Sequence, residues 1–241
     1  MKRKISIILL LTIVISVFTI VLIYLAFSPK DIRLTNLTHT SVTITWNTRL
    51  NTRSVMCMKS YTDNIRSLVF LESTSFYEDD KGSKGMAFRN HSITVEDLDP
   101  STDYMFAVGN RFFIYKDSSY FSENFTFTRT NNFKTYETPE TVVVPMTIYG
   151  SVDIEDKENL PQEALVFVDI EGFPFSTVLN DEARWSFDLS IYRDKNGEIR
   201  NLSKELSDID IFIDGAVYGN SDVLKEKVKL NEYFGSIELN N

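Results

Sequence analysis

Apolar residues run without interruption near the N-terminus and alternate with polar residues along the rest of the chain. Residues 5 to 27, ISIILLLTIVISVFTIVLIYLAF, are 23 uncharged and mostly apolar positions. A helix of that length crosses a hydrocarbon core of roughly 30 Å. From Pro29 onward, short alternating strands are separated by turn residues, a pattern typical of β-sandwiches. We therefore predict an all-β fold, with an N-terminal transmembrane helix followed by two β-sandwich (immunoglobulin-like) domains.

The first predicted sandwich follows the helix directly. In SVTITWN, Val42, Ile44 and Trp46 fall on one face and Thr43 and Thr45 on the other, which predicts a half-buried strand. The other strands predicted in this part of the chain are residues 31–37, 54–59, 67–72, 88–95, 102–110 and 120–130. Seven such strands in about 100 residues make one sandwich.

The stretch HSITVEDLDPSTDY, residues 91 to 104, interrupts this alternation at a Leu-Asp-Pro step. Leu98 is predicted to close the end of the core, and Pro100, whose φ is fixed, to carry the chain to the other sheet. Tyr104 restarts the alternation. We expect its hydroxyl to bond a backbone group a few residues upstream, as in the tyrosine corner of Greek-key sandwiches.

On these motifs, residues 29 to 131 resemble a fibronectin type III domain, through TSVTITW near the start and HSITVEDLDPSTDYMFAV near the end. Within that family they are most similar to the domain that precedes the catalytic domain of purple acid phosphatases. The chain departs from the family pattern at Asp97 and Ser101, where glycines are usual. The metal-binding domain of the phosphatases is absent, so the resemblance implies a module and not an activity.

A second alternating unit follows. Residues 132–145 mix polar residues with prolines and are predicted to form a linker. Residues 146–241 then contain MTIYGSVDIED, LPQEALVFVDIEG and FPFSTVLNDEARWSFDLS. Within the last of these, residues 180–183 are predicted to be a hairpin turn that places Trp185 and Phe187 on one face of the following strand.

The remainder of this unit supplies its last strands. In DIDIFID, residues 208–214, three isoleucines are predicted to point inward and the carboxylates to face solvent, and residues 225–230 and 233–239 are also predicted strands. The motif IYGSV, followed by Pro161 and ALV, is similar to the start of carboxypeptidase regulatory-like, transthyretin-like sandwiches. That resemblance implies a structural or binding domain. The isopeptide bond of some relatives needs a lysine on the first strand, and MTIYGSVDI has none.

The basic residues at the start of the chain predict its orientation. Lys2, Arg3 and Lys4 precede the apolar run, so residues 1–4 are expected in the cytoplasm and residues 28–241 outside it. The alternative is a cleaved signal peptide, whose apolar core usually spans only about 7 to 15 residues. The longer run favours an uncleaved signal anchor in a single-pass cell-membrane protein, and both alternatives export the rest of the chain.

The charge of the exported part limits its partners. Residues 28–241 hold 22 basic and 34 acidic residues, a formal charge of −12. Nucleic acids and anionic lipid surfaces need clustered Lys and Arg, so neither is an expected partner. The single cysteine, Cys57, cannot form an internal disulfide and is predicted to be a small buried hydrophobe.

The sequence contains no glycine-rich phosphate loop, nucleophile elbow or HExxH motif. The two histidines, His39 and His91, are far apart in the sequence, and His91 is expected to be structural. DKNGE, residues 194–198, resembles part of a calcium loop, but Tyr192 stands where the first acidic ligand is needed, so we predict a polar turn. We therefore predict no catalytic residue, no cofactor and no metal site, and no enzyme.

NRFFIYKDSSYFSENF, residues 110–125, is the one stretch that suggests recognition. It places aromatic residues around the loop between the last two strands of the first sandwich, where binding surfaces are common. The alternative is that alternation buries about half of them. The residues predicted to contact a ligand or partner are Phe112, Phe113, Tyr115, Tyr120 and Phe121.

The sequence thus favours a non-catalytic, membrane-anchored cell-surface protein with extracellular modules for binding, adhesion or scaffolding. Its expected partners are the lipid bilayer, through residues 5–27, and a surface protein or glycan. The alternative is an accessory subunit that presents a polysaccharide or peptide to a separate enzyme. A hydrolase would need a cluster of acids and histidines that the sequence does not supply.

Overall fold

The computed structural model describes most of the chain. The described residues are 2–60, 75–79, 87–110, 131–140, 146–153, 164–170, 172–191, 193, 199, 209–216, 219–226 and 233–239. They form one α-helix followed by strands in four sheets. The all-β fold with an N-terminal helix is therefore confirmed.

Helix α1 (Lys2–Phe27) contains the apolar run. Its segment Ile7–Phe27 is long and apolar enough to cross a membrane. The large apolar side chains from Ile7 to Leu25 are exposed, because the sandwiches do not cover them. The hydroxyls of Thr12 and Thr19 donate to the carbonyls four residues before them, each at 2.9 Å, so the two threonines leave no donor unsatisfied in an apolar surrounding.

The first sandwich has two antiparallel sheets. Its strands are β1 (Lys30–Thr35), β2 (Val42–Thr52), β3 (Ser54–Ser60), β4 (Ser75–Glu78), β5 (Phe88–Val95), β6 (Asp103–Asn110) and β7 (Asn131–Lys134). The sheet orders are β1-β2-β5 and β4-β3-β6-β7. The strand β4 was not predicted, and the predicted strands 67–72 and 120–130 lie outside the described residues. Strand β7 extends this sandwich into the stretch predicted as a linker.

Alternation predicted the core of this sandwich but not its outer surface. Ile44 and Trp46 of β2 are buried against Phe106, as expected. Thr43 and Thr45 are only 3% and 1% exposed, so the prediction of a half-buried strand is wrong. Their face of the sheet lies toward the second sandwich, which excludes water from it.

The tyrosine corner is confirmed. The Tyr104 hydroxyl accepts a hydrogen bond from the backbone N–H of Asp99 at 2.9 Å, and Leu98 is buried at the end of the core. Asp97 and Ser101 have φ values of 59° and 54°. These two residues therefore keep the left-handed conformation of the glycines that are usual there, although their side chains make it less favourable.

The second sandwich also has two sheets. Its strands are β8 (Thr147–Asp153), β9 (Leu165–Ile170), β10 (Phe173–Val178), β11 (Arg184–Asp188), β12 (Ile209–Asp214), β13 (Leu224–Glu226) and β14 (Tyr233–Glu238). The sheet orders are β10-β9-β12-β13 and β11-β8-β14, and β14 runs parallel to β8. Ile209, Ile211 and Ile213 are fully buried, as their alternation predicted.

The turn at residues 180–183 forms, but it does not close a hairpin. Asn180 accepts hydrogen bonds from the N–H groups of Ala183 and Arg184, both at 2.9 Å. Strand β10 pairs with β9 and β11 pairs with β8, so the chain crosses from one sheet to the other. The crossing places the Phe175 and Phe187 rings on opposite sides of one core, 6.1 Å apart, whereas a hairpin would have set the two strands side by side.

The two sandwiches meet first at Asn36, which has a φ of 50°. Its backbone N–H donates to the Pro174 carbonyl at 3.1 Å. Its side-chain amide donates to the Ser176 carbonyl at 2.7 Å and accepts from the Ser176 N–H at 3.1 Å. Asn36 therefore satisfies backbone groups along β10, an edge strand whose outer side would otherwise lack partners.

Further contacts extend this interface. Asn90 donates to the carboxylate of Asp214 at 2.8 Å, so Asp214 faces the first sandwich and not bulk solvent as predicted. The guanidinium of Arg33 lies over the Phe167 ring, 4.5 Å from its centroid. Hydrogen bonds and a cation–π contact hold the interface at these points.

Tyr136 joins the two sandwiches directly after β7. Its backbone N–H donates to the Thr38 carbonyl of the first sandwich at 3.1 Å, while its ring stacks on Phe173 of the second at 6.4 Å. The Arg193 guanidinium covers the same ring at 4.5 Å. Burial raises the pKa of Tyr136, and the positive charge of Arg193 acts against that rise.

Candidate functional site

The predicted aromatic loop and the calcium-like turn lie outside the described residues. This applies to Phe112, Phe113, Tyr115, Tyr120 and Phe121, and to residues 194–198. The contact role of the five aromatic residues therefore stays a prediction. Two other parts of the molecule carry candidate chemistry: a buried histidine in the first sandwich and an open cleft on the second.

His91 is at the centre of a buried hydrogen-bond network. Its Nδ1 lies 2.6 Å from Asp79 Oδ2, and its Nε2 lies 3.1 Å from Thr52 Oγ1. The ring stacks on Trp46, with centroids 5.1 Å apart and planes at 25°. A carboxylate so close to Nδ1 requires a proton on that nitrogen, so in the neutral ring Nε2 accepts from the threonine hydroxyl.

The order hydroxyl, imidazole, carboxylate is that of a hydrolytic triad, but the burial of these groups prevents that chemistry. Thr52 is 2% exposed and His91 is 0% exposed, so a substrate carbonyl cannot reach the hydroxyl. Thr48 adds a second hydroxyl to the imidazole at 3.3 Å and donates to the Leu50 carbonyl at 2.8 Å. The network holds β2 and β5 to the segment that carries Asp79, which agrees with the structural role expected for His91.

Other reactive groups in the described part of the chain are also inaccessible or isolated. Cys57 is fully buried, with its thiol 3.6 Å from the Ala107 carbonyl. Burial raises the pKa of the Cys57 thiol to about 12, and the hydrogen bond to Ala107 lowers it in part. Within the described ranges, no three His, Cys, Asp or Glu side chains come together in a way that could hold a metal ion.

An open cleft with a volume of about 780 Å³ lies on the outer face of the sheet β11-β8-β14. We call it the tyrosine cleft. Tyr149 of β8 and Tyr233 of β14 lie directly opposite each other in it and are 40% and 55% exposed. Their ring centroids are 5.9 Å apart, with planes at 42°. The Tyr233 hydroxyl is held 2.7 Å from Ser151 Oγ.

Gly150 of β8 lines the cleft and packs against Trp185 on the inner side of the same sheet. A Cβ atom on Gly150 would lie 2.5 Å from Cζ2 of Trp185, so only glycine allows the indole to pack this closely against β8. Trp185 is 2% exposed and lines the cleft. Its Nε1–H has no hydrogen-bond partner among the described residues.

Charges at the tyrosine cleft are few and partly paired. Arg184 and Glu182 form an ion pair of 2.7 Å at the rim, and both side chains are about two-thirds exposed. Such a pair contributes little to stability. Asp153 adds a carboxylate farther along β8. Among the described lining residues, the remaining polar groups are neutral, so the cleft has no strong positive field.

The tyrosine cleft was not predicted from the sequence. The alternation in MTIYGSVDIED places Tyr149 on the outer face, but an outward tyrosine on one strand is common. Its partner Tyr233 follows 84 positions later and comes beside it only because β14 runs parallel to β8. The signal that could have revealed the cleft is a pair of outward-facing tyrosines on neighbouring strands. It can be recognised only when the order of the strands in the sheet is known.

Comparison with known proteins identifies the first sandwich. Residues 29–135 match the family described as purple acid phosphatase, N-terminal domain. A search of curated proteins found no match.

Similar solved structures include fibronectin domains and a phosphatase. The purple acid phosphatase PPD1 of yellow lupin seeds is 14% identical, with 53% of this chain and 22% of that chain covered and a TM-score of 0.33. The FN5 domain of Drosophila Lar is 15% identical, with 46% and 96% covered and a TM-score of 0.31. The sensor domain of the anti-sigma factor RsgI4 of Pseudobacteroides cellulosolvens is 16% identical, with 49% and 81% covered and a TM-score of 0.31.

The tyrosine corner, the sheet order and the family match agree with one another. Residues 29–135 form a fibronectin type III-like domain and are similar to the N-terminal domain of purple acid phosphatases.

Proposed function

We propose that the chain is a non-catalytic, membrane-anchored cell-surface protein whose two extracytoplasmic sandwiches bind or scaffold other molecules. The observation that carries this proposal is the continuity between α1 and the fibronectin type III-like domain. The helix ends at Phe27 and β1 begins at Lys30, so only Ser28 and Pro29 separate an apolar, exposed helix from a folded sandwich. A linker this short holds the sandwich against the membrane surface.

Three further observations support the proposal. The matched domain is the part of the phosphatases that precedes their catalytic domain. The hydroxyl–imidazole–carboxylate network around His91 is closed to substrates. The basic residues Lys2, Arg3 and Lys4 favour a cytoplasmic N-terminus.

The anchor is tested with full-length chain that carries different epitope tags at its two ends. In intact cells, added protease should remove the C-terminal tag and leave the N-terminal tag protected, and both tags should stay on one species in the membrane after alkaline carbonate extraction. A control with residues 1–28 replaced by a cleavable secretory signal should be released. Release of the unaltered chain without its N-terminal tag would show that the helix is a signal peptide.

Binding is tested by crosslinking the full-length chain on intact cells, followed by mass spectrometry of the attached molecules and of the lysines involved. Discrete partners on one sandwich would support a scaffold or adhesion role. Recovery of abundant neighbours alone, spread evenly over the exposed lysines, would count against protein scaffolding. A matched sample of the chain anchored through an unrelated transmembrane helix shows which neighbours the helix itself recruits.

A second candidate function is an accessory subunit that presents a polysaccharide to a separate enzyme. The tyrosine cleft favours it, because exposed aromatic rings beside hydroxyl groups suit sugars. In that case the chain should raise the rate of a polysaccharide-degrading enzyme on insoluble substrate and leave its rate on short soluble substrate unchanged.

A further inference from the structure

The two exposed rings of the tyrosine cleft differ from the aromatic residues in the core of the second sandwich. Trp185, Phe187 and Phe175 are at most 4% exposed, whereas Tyr149 and Tyr233 leave 40% and 55% of their surface in water. An aromatic ring that stays exposed to water does not contribute the folding free energy that burial of its large apolar surface would provide. Two such rings facing each other on one sheet are an apolar platform on an otherwise polar face.

The platform is held in place before any ligand binds. The bond between Ser151 Oγ and the Tyr233 hydroxyl fixes one ring, and the neighbouring Tyr149 ring restricts it further. Because both residues stand on strands that pair with each other, their spacing is set by the sheet and not by a loop. Less conformational entropy is then lost on binding.

Hydroxyl groups surround the platform. Ser186 is paired with Tyr149 across β11 and β8, and Ser236 with Ser151 across β14 and β8. Serine hydroxyls both donate and accept hydrogen bonds. At the rim, the Glu182 carboxylate accepts hydrogen bonds and the Arg184 guanidinium donates them. A pyranose ring has the matching chemistry, with C–H groups on its faces and hydroxyls around its edge.

The geometry disfavours two other classes of ligand. Strand β8 is paired on both sides, by β11 and by β14, so a peptide strand could add only at the outer edges of β11 and β14 and not at β8 between the two rings. The aliphatic side chains among the described lining residues are Val152 and Val178, and Val152 is only 2% exposed, so little aliphatic surface is offered to a peptide side chain. Arg184, the cation among its described lining residues, is paired with Glu182, and Asp153 adds negative charge, so polyanions are not attracted.

We propose that the tyrosine cleft is a carbohydrate-binding site for an uncharged polysaccharide, with Tyr149 and Tyr233 stacking on sugar rings and the serines of the sheet bonding sugar hydroxyls. The proposal rests on the binding function proposed above and gives it a ligand class. It is separate from the aromatic loop predicted at residues 110–125, because the described lining residues of the cleft all belong to the second sandwich.

The test uses the full-length chain in micelles of a detergent without a sugar headgroup, since sugar headgroups would compete. Native electrophoresis through gels that contain hydroxyethylcellulose, laminarin, galactomannan or glycol chitin measures retardation of the protein. We expect at least one of these polymers to retard the unaltered chain. Tyr233→Ala and Tyr149→Ala should each weaken that binding about tenfold or more, the order of magnitude found when stacking on an aromatic side chain is lost.

Two control variants distinguish loss of ring stacking from a nonspecific effect of substitution at the protein surface. Tyr233→Phe keeps the ring and should lose only a few-fold in affinity. Val223→Ala changes an apolar side chain of the same sandwich that is 55% exposed and does not line the cleft, so it should bind as the unaltered chain does. Thermal unfolding of each variant checks that the fold is intact, which the exposure of both tyrosines makes the expected result.

The electrophoresis and crosslinking results together distinguish a carbohydrate site in the cleft from a site elsewhere and from a protein-binding surface. Retardation that survives both alanine substitutions overturns the cleft as the site but leaves a binding function, and Phe113→Ala then tests the aromatic loop. No retardation by any of the polymers overturns the carbohydrate proposal, while discrete crosslinked protein partners would still support the scaffold function. Loss of such a protein partner in Tyr233→Ala would reassign the cleft to proteins.

Discussion

Replacing Asn36 removes the side chain that joins the two sandwiches most directly, and the size of the effect follows from its contacts. The amide makes hydrogen bonds of 2.7 and 3.1 Å with Ser176 and donates to Thr43 Oγ1 at 3.0 Å. A neutral hydrogen bond contributes about 0.5 to 1.5 kcal/mol net. Because Asn36 is only partly buried, water replaces some of what is lost. We expect Asn36→Gly to destabilise the chain by about 2 kcal/mol.

The backbone of Asn36 allows a second, independent comparison. Its φ of 50° is left-handed, which glycine adopts freely and alanine does not. Asn36→Ala should therefore cost about 1 kcal/mol more than Asn36→Gly. Asn47→Ala is the matched control, because Asn47 makes an exposed hydrogen bond of 3.0 Å to Asp31 within the first sandwich. It should cost less than about 0.5 kcal/mol.

Urea unfolding of the full-length chain in micelles measures these differences. Trp46 and Trp185 report on one core each, and single Trp→Phe variants assign their fluorescence. If the interface couples the sandwiches, both signals change together in the unaltered chain and separate in Asn36→Gly. A Gly variant within about 0.5 kcal/mol of the unaltered chain, with no separation of the two signals, would refute the reasoning.

Three further predictions concern the first sandwich. Tyr104→Phe leaves the Asp99 N–H without its acceptor and should lower the free energy of unfolding by about 1 to 2 kcal/mol in urea titrations. Ser101→Gly relieves a φ of 54°, and because glycine also loosens the unfolded chain, the net gain should be about 0.5 to 1 kcal/mol, seen as a higher urea midpoint. Cys57 has a pKa raised to about 12 by burial, so the unfolded chain, ionising near about 8.5, loses its proton first as the pH rises. The free energy of unfolding should thus fall above pH about 8.5 by up to about 1.4 kcal/mol per pH unit relative to Cys57→Val; parallel pH profiles for the two proteins would contradict this.

The parts of the fold that sequence patterns predicted are those determined by local chemistry. Ile209, Ile211 and Ile213 are buried because period-2 alternation gives a strand one apolar face. The Tyr104 corner was predictable because its partner is only five residues away. In both cases the residues that interact are close in sequence or share one strand.

The parts that patterns missed depend on distant elements. Thr43 and Asp214 look like solvent-facing residues, and an interface held by hydrogen bonds needs the same residue types as a wet surface. The crossing at residues 180–183 was mistaken for a hairpin because turn residues do not reveal which strands pair afterwards. The hydrogen bond between His91 and Asp79 could not be predicted, because Asp79 lies outside every predicted strand and its position in the fold was therefore unknown.

The hydrogen-bonded character of the contact between the sandwiches has a thermal consequence. Heat capacity changes when apolar surface enters water, and it changes in the opposite sense when polar surface does. Asn36 and Asn90 join the sandwiches by polar groups, and the rings of Phe167 and Tyr136 add a smaller apolar contribution, while the fully buried residues of each core lie within one sandwich. Separation of the two sandwiches would then alter the heat capacity little, so the free energy of separation would vary almost linearly with temperature, whereas the free energy of unfolding of either core would be strongly curved. The contact between the sandwiches should therefore lack the weakening on cooling that a large apolar interface would show.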